Sequence, residues 1–283
     1  MSLSFSDTFD ADTGPSRKRL KLLEAEPSLV ASLEAGDEVR FVHNDAARDV
    51  VLCTPTETFR VTKVESSNTT LLVAGGVEAG ASVVAKSSVS FHWEARKCAP
   101  RVDVGAGLPE YGGDGCAEAP TLADLRSRTQ ASAAELNAAL KDAAVLEVDG
   151  RYFSLQPKTL HRTLDNVLTS VSIRGWPASA VPVDACAADA ATHGANAVVA
   201  AHCLRHFAVD GGGAAATVAL DARAVAVAVA PALFVAKATY EDVDAFLADL
   251  KDCLPSGAEP ALSWLDGVVA VSGGGAVSLA ADA

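Results

Sequence analysis

Residues 20–76 read LKLLEAEPSLVASLEAGDEVRFVHNDAARDVVLCTPTETFRVTKVESSNTTLLVAGG, and the alternation inside this stretch decides the fold. Val39 and Phe41 alternate with Glu38 and Arg40, and Phe59 and Val61 alternate with Arg60 and Thr62. Successive side chains of a strand point to opposite faces, so each run carries one apolar face. Gly36-Asp37, Asn44-Asp45, Thr54-Pro55 and Ser66-Ser67-Asn68 interrupt the runs, at about the 8–12-residue spacing of an antiparallel sandwich or barrel. The run Ser87 to Trp93 reads as the closing strand of this small β module, residues 20–97, with sandwich and barrel both open. A small sheet leaves edge N–H and C=O groups unpaired, and these are satisfied by closure or by a partner strand. The candidate interface residues of these strands are Val39, Phe41, Phe59, Val61, Leu71, Leu72 and Val73.

The 283-residue chain is long enough for one large or several small domains, and its net charge of −13 opposes a general nucleic-acid-coating surface, since phosphate binding is driven by Lys and Arg. Cys53, Cys98, Cys116, Cys186, Cys203 and Cys253 are scattered, without a CxxC pair or a leading apolar segment. This pattern predicts a reduced intracellular setting. The longest uncharged run, Ala224 to Ala236, falls short of the ~20 apolar residues that span a bilayer.

Residues 1–19 are polar and are expected as a disordered tail. Arg17, Lys18, Arg19 and Lys21 form a basic cluster that reads either as a nuclear-import signal, placing the protein in the nucleus, or as a solvated strand start. Residues 98–120 are rich in Gly, Pro and Asp and are expected as a linker. After Pro120 the period changes to that of helices: Leu122 and Leu125 share a face, and Ser132 with Glu135 has capping-box spacing ahead of Leu136 and Leu140. Asp149-Gly150 then turns a hairpin. Helix, turn, helix, hairpin is winged-helix order, so residues 121–180 are expected as a first winged helix, 181–236 as a second and 237–283 as a third. The segment Ala222 to Ala236 is expected as a buried helix ending near Pro231. The expected class is α+β, a small antiparallel sandwich or barrel followed by tandem winged helices.

Arg126, Arg128, Gln130, Asn137 and Lys141 gather on the first helix-turn-helix. They read as a contact for a protein or, less well given the acidic total, for DNA, set against an ordinary solvated face. His202 and His206 stand at i and i+4, a metal-ligand spacing, but no further ligand of recognisable spacing completes a site. The glycine triplets at 211–213 and 273–275 are not followed by Gly-Lys-Ser/Thr and read as hairpin tips. Cys53 reads as a small core residue, and the dispersed carboxylates nominate no acid/base pair. No catalytic residue, metal or cofactor is expected.

Leu22-Leu23-Glu24-Ala25-Glu26-Pro27-Ser28-Leu29, Leu33-Glu34-Ala35-Gly36, Val51-Leu52-Cys53 and Thr58-Phe59 resemble, in order and spacing, the opening block of Dcc-type sister-chromatid-cohesion proteins. These are accessory subunits of the alternative, chromosome transmission fidelity replication factor C clamp loader. The resemblance continues at Ser67-Asn68 with Leu71-Leu72, His92-Trp93-Glu94, Gln130-Ala131-Ser132, Val181-Pro182-Val183 with Cys186, His202-Cys203-Leu204 and Leu220-Asp221-Ala222. It implies a barrel assembled with the large and small accessory subunits of that loader, winged helices that reach the leading-strand DNA polymerase epsilon, and an indirect link to the sliding clamp. Two departures stand out. The family runs on into a further winged helix beyond Ala283, so DNA contacts of that domain are not expected here. Its basic run after the Trp-Glu step is reduced to Arg96, Lys97 and Arg101. The alternative is a stand-alone winged-helix DNA-binding protein or regulator.

Overall fold

A computed structural model describes residues 2–10, 21–43, 49–74, 82–105, 107–112, 118–209, 213 and 215–280. The chain forms two compact units, Met1–Ala106 with Leu122–Asp142, and Gly107–Thr121 with Ala143–Ala283.

The first unit is built on one mixed sheet. Its strands are β1 (Ser2–Asp10), β2 (Leu23–Ala25), β3 (Arg40–His43), β4 (Val50–Cys53), β5 (Thr58–Ala74) and β6 (Ser82–Lys97), in the order β1-β6-β5-β4-β3, with β2 also on β6. β3, β4, β5 and β6 pair antiparallel, whereas β1 and β2 run parallel to β6. The strands predicted around Phe41, Phe59 and Trp93 are present, but among the described residues the sheet does not close: β3 and β1 stand at opposite ends of the strand order. The expected barrel is therefore an open sheet. Two local expectations also change. Ser66-Ser67-Asn68 is not a turn but the middle of β5, where the register against β6 shifts between Glu65 and Thr70; these exposed polar side chains face water and leave the backbone free to stay extended. The polar tail supplies β1, whose Leu3 and Phe5 alternate with serines in strand fashion.

Both faces of the sheet are covered around β4 and the start of β5. On one face lies α1 (Pro27–Ala35), with Pro27 in its first turn and Gly36 closing it at φ 77°, where Gly36 N–H donates to Leu33 O. Leu29 from α1 packs with Leu52, Phe59 and Ala95. On the other face Val51, Cys53 and Thr58 are buried, and α2 (Leu122–Arg128) and α3 (Ala133–Asp142) belong to the same unit. Leu136 and Leu140 are buried, as their four-residue spacing predicts.

In the second unit the predicted Asp149-Gly150 hairpin joins β7 (Leu146–Val148) to β8 (Arg151–Phe153), with both turn residues at positive φ, 50° and 74°. The segment expected as a linker is divided between the units. Arg101, in the first, exchanges backbone hydrogen bonds with Gln130. In the second, Ser154 N–H donates to Pro109 O, Tyr111 N–H to Ser154 O, and Tyr152 N–H to Pro120 O. The helices α2 and α3 and the hairpin β7–β8, expected together as one winged helix, likewise fall in different units.

The rest of the second unit runs α4 (Pro157–Arg174), β9 (Val181–Pro182), α5 (Val183–Thr192), α6 (Ala197–His206), β10 (Thr217–Val218), α7 (Ala222–Ala236), β11 (Thr239–Tyr240), α8 (Val243–Asp252), a 3-10 turn at Leu262–Leu265, β12 (Val269–Val271) and β13 (Val277–Leu279). The order helix, strand, helix, helix, strand thus begins at α4 and begins again at α7, one helix earlier in each case than the sequence pattern suggested. β9 pairs with β10, and β11, β13 and β12 form a three-stranded sheet. One continuous cluster, from Leu164 and Val167 on α4 to Leu265 and Val277, fills the interior. α7 does not stop at Pro231 but continues to Ala236. The proline withholds one N–H from the helix ladder, yet Leu233 and Phe234 beyond it pack against the core and hold the last turn in place. Among the described residues no helix is long and apolar enough to cross a membrane.

Candidate partner interface

The exposed edges of the first unit's sheet follow from strand length. β4 pairs with β5 only from Thr58 to Val61, whereas β6 pairs with β5 from Phe59 to Ala74. From Thr62 to Ala74, β5 therefore has β6 on one side and no strand on the other among the described residues. At about 3.3 Å per residue this free edge runs for roughly 40 Å. A second edge is β3, whose strand partner among the described residues is β4.

The apolar side chains are distributed accordingly. The registers Phe41↔Leu52 and Leu52↔Phe59 put these three in one cross-strand row. Phe59 is 0 % and Leu52 2 % exposed under α1, but Phe41, at the β3 edge of the same row, is 69 % exposed. Leu71 and Val73 are exposed on the free edge of β5 and Leu72 is half-buried. Val39 and Val61 pack against the Leu29 cluster. Of the seven residues expected at an interface, Phe41, Leu71 and Val73 are thus presented outward, Leu72, Val39 and Val61 are intermediate, and Phe59 is core. Phe41 is thus a large aromatic side chain exposed at a strand edge.

Farther along the β5–β6 ribbon, Phe91 and Trp93 meet edge to face at 5.8 Å. Lys63 Nζ lies 4.5 Å and Lys21 Nζ 4.9 Å from the Phe91 ring centre. Lys63 also reaches Glu65 at 2.7 Å. The Arg96 guanidinium links Glu24 and Glu94, which holds it still more firmly protonated. Arg17, Lys18 and Arg19, the rest of the basic cluster, lie outside the described residues.

The helix-turn-helix residues separate by burial. Asn137 and Lys141 lie exposed four apart on α3, each next in sequence to a buried leucine, and Arg128 is exposed at the end of α2. Arg126 is half-buried, with its Nε buried and lacking a hydrogen-bond acceptor. Gln130 is 1 % exposed. Its Nε2 donates to Asp49 O at 2.8 Å, and Arg101 reaches both Gln130 Oε1, at 3.4 Å, and Asp49 Oδ2, at 3.0 Å. Gln130 is therefore a clamp inside the unit, and the outward cationic surface consists of Arg128 and Lys141 with Asn137.

The other singled-out residues are structural. Cys53 is buried beside Thr58, and desolvation pushes its thiol up. His202 and His206 stack at 6.2 Å, but His202 Nε2 is held at 3.2 Å from Ala144 O in the second unit. Burial, reinforced by His206, pulls its pKa from 6.5 to about 4. Among the described residues no three His, Cys, Asp or Glu side chains are grouped to hold a metal.

The chain is similar in sequence to two curated relatives. Sister chromatid cohesion protein DCC1 of Mus musculus is 29 % identical over 206 residues, covering 65 % of this chain and 50 % of the mouse protein. The protein of that name from Danio rerio is 27 % identical over 207 residues, covering 66 % and 52 %. The chain thus spans about half the length of the curated relatives it matches. The family model for sister chromatid cohesion protein Dcc1 matches residues 20–279, from the first strand of the Leu29 cluster to the last strand of the second unit, and the chain belongs to the Dcc1 family.

Proposed function

We propose that this chain is a non-catalytic subunit of an alternative replication factor C clamp loader that acts in DNA replication and sister chromatid cohesion, and that its open sheet is the assembly joint. The observation that carries the reading is the free edge of β5 from Thr62 to Ala74 together with the exposed Phe41 on β3. Main-chain pairing along such an edge gives affinity, and alternate side chains give specificity. The large and small accessory subunits of the loader are the partners for these edges. Arg128, Asn137 and Lys141 form the surface offered to the polymerase epsilon catalytic subunit, and the sliding clamp is reached indirectly. The net charge of −13 lends nothing to the stand-alone DNA-binding alternative.

Co-expression of the full chain with the two accessory subunits tests the joint. A stable ternary complex is expected, and a Leu71→Asp, Val73→Asp chain should lose it while remaining folded. Retention of the complex by that variant would remove the edge reading. Replacing Arg128 and Lys141 by Glu should weaken polymerase capture and leave the ternary complex whole. Nuclear residence through the Arg17 to Lys21 cluster is part of the same proposal; a fluorescent fusion lacking Arg17, Lys18 and Arg19 should lose nuclear retention, and unchanged import would refute it.

A further inference from the structure

The second unit carries a groove of about 570 Å³ between α4 and the chain leaving α8. Its α4 wall is a helical stripe, since Asp165, Leu168, Thr169, Ser172 and Ile173 recur at i, i+3, i+4, i+7 and i+8. Leu164, Val167 and Val171 of α4 pack in the core with Leu168 half-buried against it, and Asp165, Thr169, Ser172 and Ile173 are left exposed. Ile173 at its end is 64 % exposed. The other wall holds Asp252, Leu254 and Pro255.

The unpaired charge of the groove is negative. Neither Asp165 nor Asp252 has a salt-bridge partner among the described residues. Lys251 is held by Glu259 at 2.6 Å, which cancels the one cation of the facing wall. The C-terminal end of α8 adds the negative end of a helix dipole. Cys253, on the groove wall between these groups, registers the sum: after burial, the carboxylates of Asp165, Asp252 and Asp249 each push its thiol up. An apolar floor between two uncompensated carboxylates matches a side chain pattern of opposite design.

We propose that this groove docks a segment of a partner protein that places an aliphatic side chain on Leu168 and Leu254 and Arg or Lys side chains against Asp165 and Asp252. The surface is separate from the sheet edge, and its test stands apart from the ternary complex. The full chain is titrated into a fluorescein-labelled 12-residue peptide of alternating arginine and leucine pairs, with binding read by anisotropy. Binding is expected, and Asp165→Asn with Asp252→Asn should weaken it about tenfold, roughly threefold for each partly exposed charge pair. Ile173→Ser should weaken it as well. Glu34→Gln with Glu118→Gln changes net charge equally outside the groove and should leave affinity unaltered. The proposal is overturned if the peptide does not bind, if the two double variants bind alike, or if a peptide with serine for leucine binds as well as its parent, which would mean bare attraction to an acidic protein. Matching melting temperatures establish that the variants are folded.

Discussion

Thr58, the first residue of β5, donates its hydroxyl to Glu135 Oε2 at 2.6 Å across 77 residues of sequence. The same carboxylate oxygen accepts the Ser132 N–H at 2.9 Å, and Glu135 N–H donates to Ser132 Oγ at 3.2 Å. The capping box of α3 thus has a third member in the sheet, because Thr58 Oγ1 also accepts the Ser132 N–H at 2.9 Å. A local helix-start signal is thereby turned into a tertiary fastening that binds α3 to the strand bearing the free edge.

Removal of either side chain strands buried polar groups of the other. Glu135→Ala is expected to destabilise the protein by ~2–3 kcal/mol, from a lost cap and an unpaired Thr58 hydroxyl. Thr58→Val should cost ~1–2 kcal/mol. In a urea-denaturation double-mutant cycle the two losses should fall short of additivity by ~1 kcal/mol. Strict additivity would mean that the cap and the strand are independent.

Phe41 and Phe59 occupy one cross-strand row and should behave oppositely. Phe59→Ala empties a core position and should cost ~3–5 kcal/mol. Phe41→Asp alters an exposed side chain and should leave stability within ~0.5 kcal/mol, while abolishing capture of the accessory subunits. A large stability loss from Phe41→Asp would place that ring in this chain's own core and remove it from the interface.

Much of this arrangement was legible in the sequence, and what was hidden is hidden for identifiable reasons. Alternation found the strands around Phe41, Phe59 and Trp93, and Asp149-Gly150 found the hairpin, since both signals are local. Sheet closure is not local. It depends on how far β5 outruns β4, and Ser66-Ser67-Asn68 disguised that length as a turn. Gln130 looked like a surface amide because composition cannot reveal that Asp49 and Arg101 close around it. The helix α1 was masked by the strand runs beside it, although Pro27 and Gly36 bracket it in the usual helix-bounding positions. Part of the family resemblance rests on interior positions: Cys186, Cys203, Leu204 and Leu220 are all buried in the second unit's core. Such matches specify the fold well, and the contact surface only through the strands they position.

Ala144 adopts φ 49°, a left-handed conformation that an L side chain resists. Its carbonyl is the group that His202 Nε2 meets at 3.2 Å. Glycine takes this conformation without strain, so Ala144→Gly is expected to stabilise the protein by ~0.5–1 kcal/mol after the added unfolded-state entropy is discounted. The melting temperature should rise. A fall would mean that the methyl group, which is buried, contributes more packing than the backbone loses in strain.

His202 should make the stability of the protein pH-dependent. A carbonyl oxygen only accepts, so the contact with Ala144 O requires the proton on Nε2, and burial holds the neutral ring by lowering its pKa from 6.5 to about 4. In the unfolded chain the ring takes up a proton as the pH falls through ~6.5, whereas in the folded chain it does so only near 4. Over that interval the unfolded state binds more protons, so stability rises with pH. The contribution is fully present above pH ~6.5, is lost progressively as pH falls toward ~4, and levels off below, with a slope of at most ~1.4 kcal/mol per pH unit. His202→Gln keeps an N–H donor without a titrating ring, and should flatten this slope relative to the native chain. The chain has 6 histidines, so the difference between the two proteins, measured by urea unfolding from pH 4.5 to 7.5, isolates this one. Identical slopes would show that His202 is hydrated and titrates as it does in the unfolded chain.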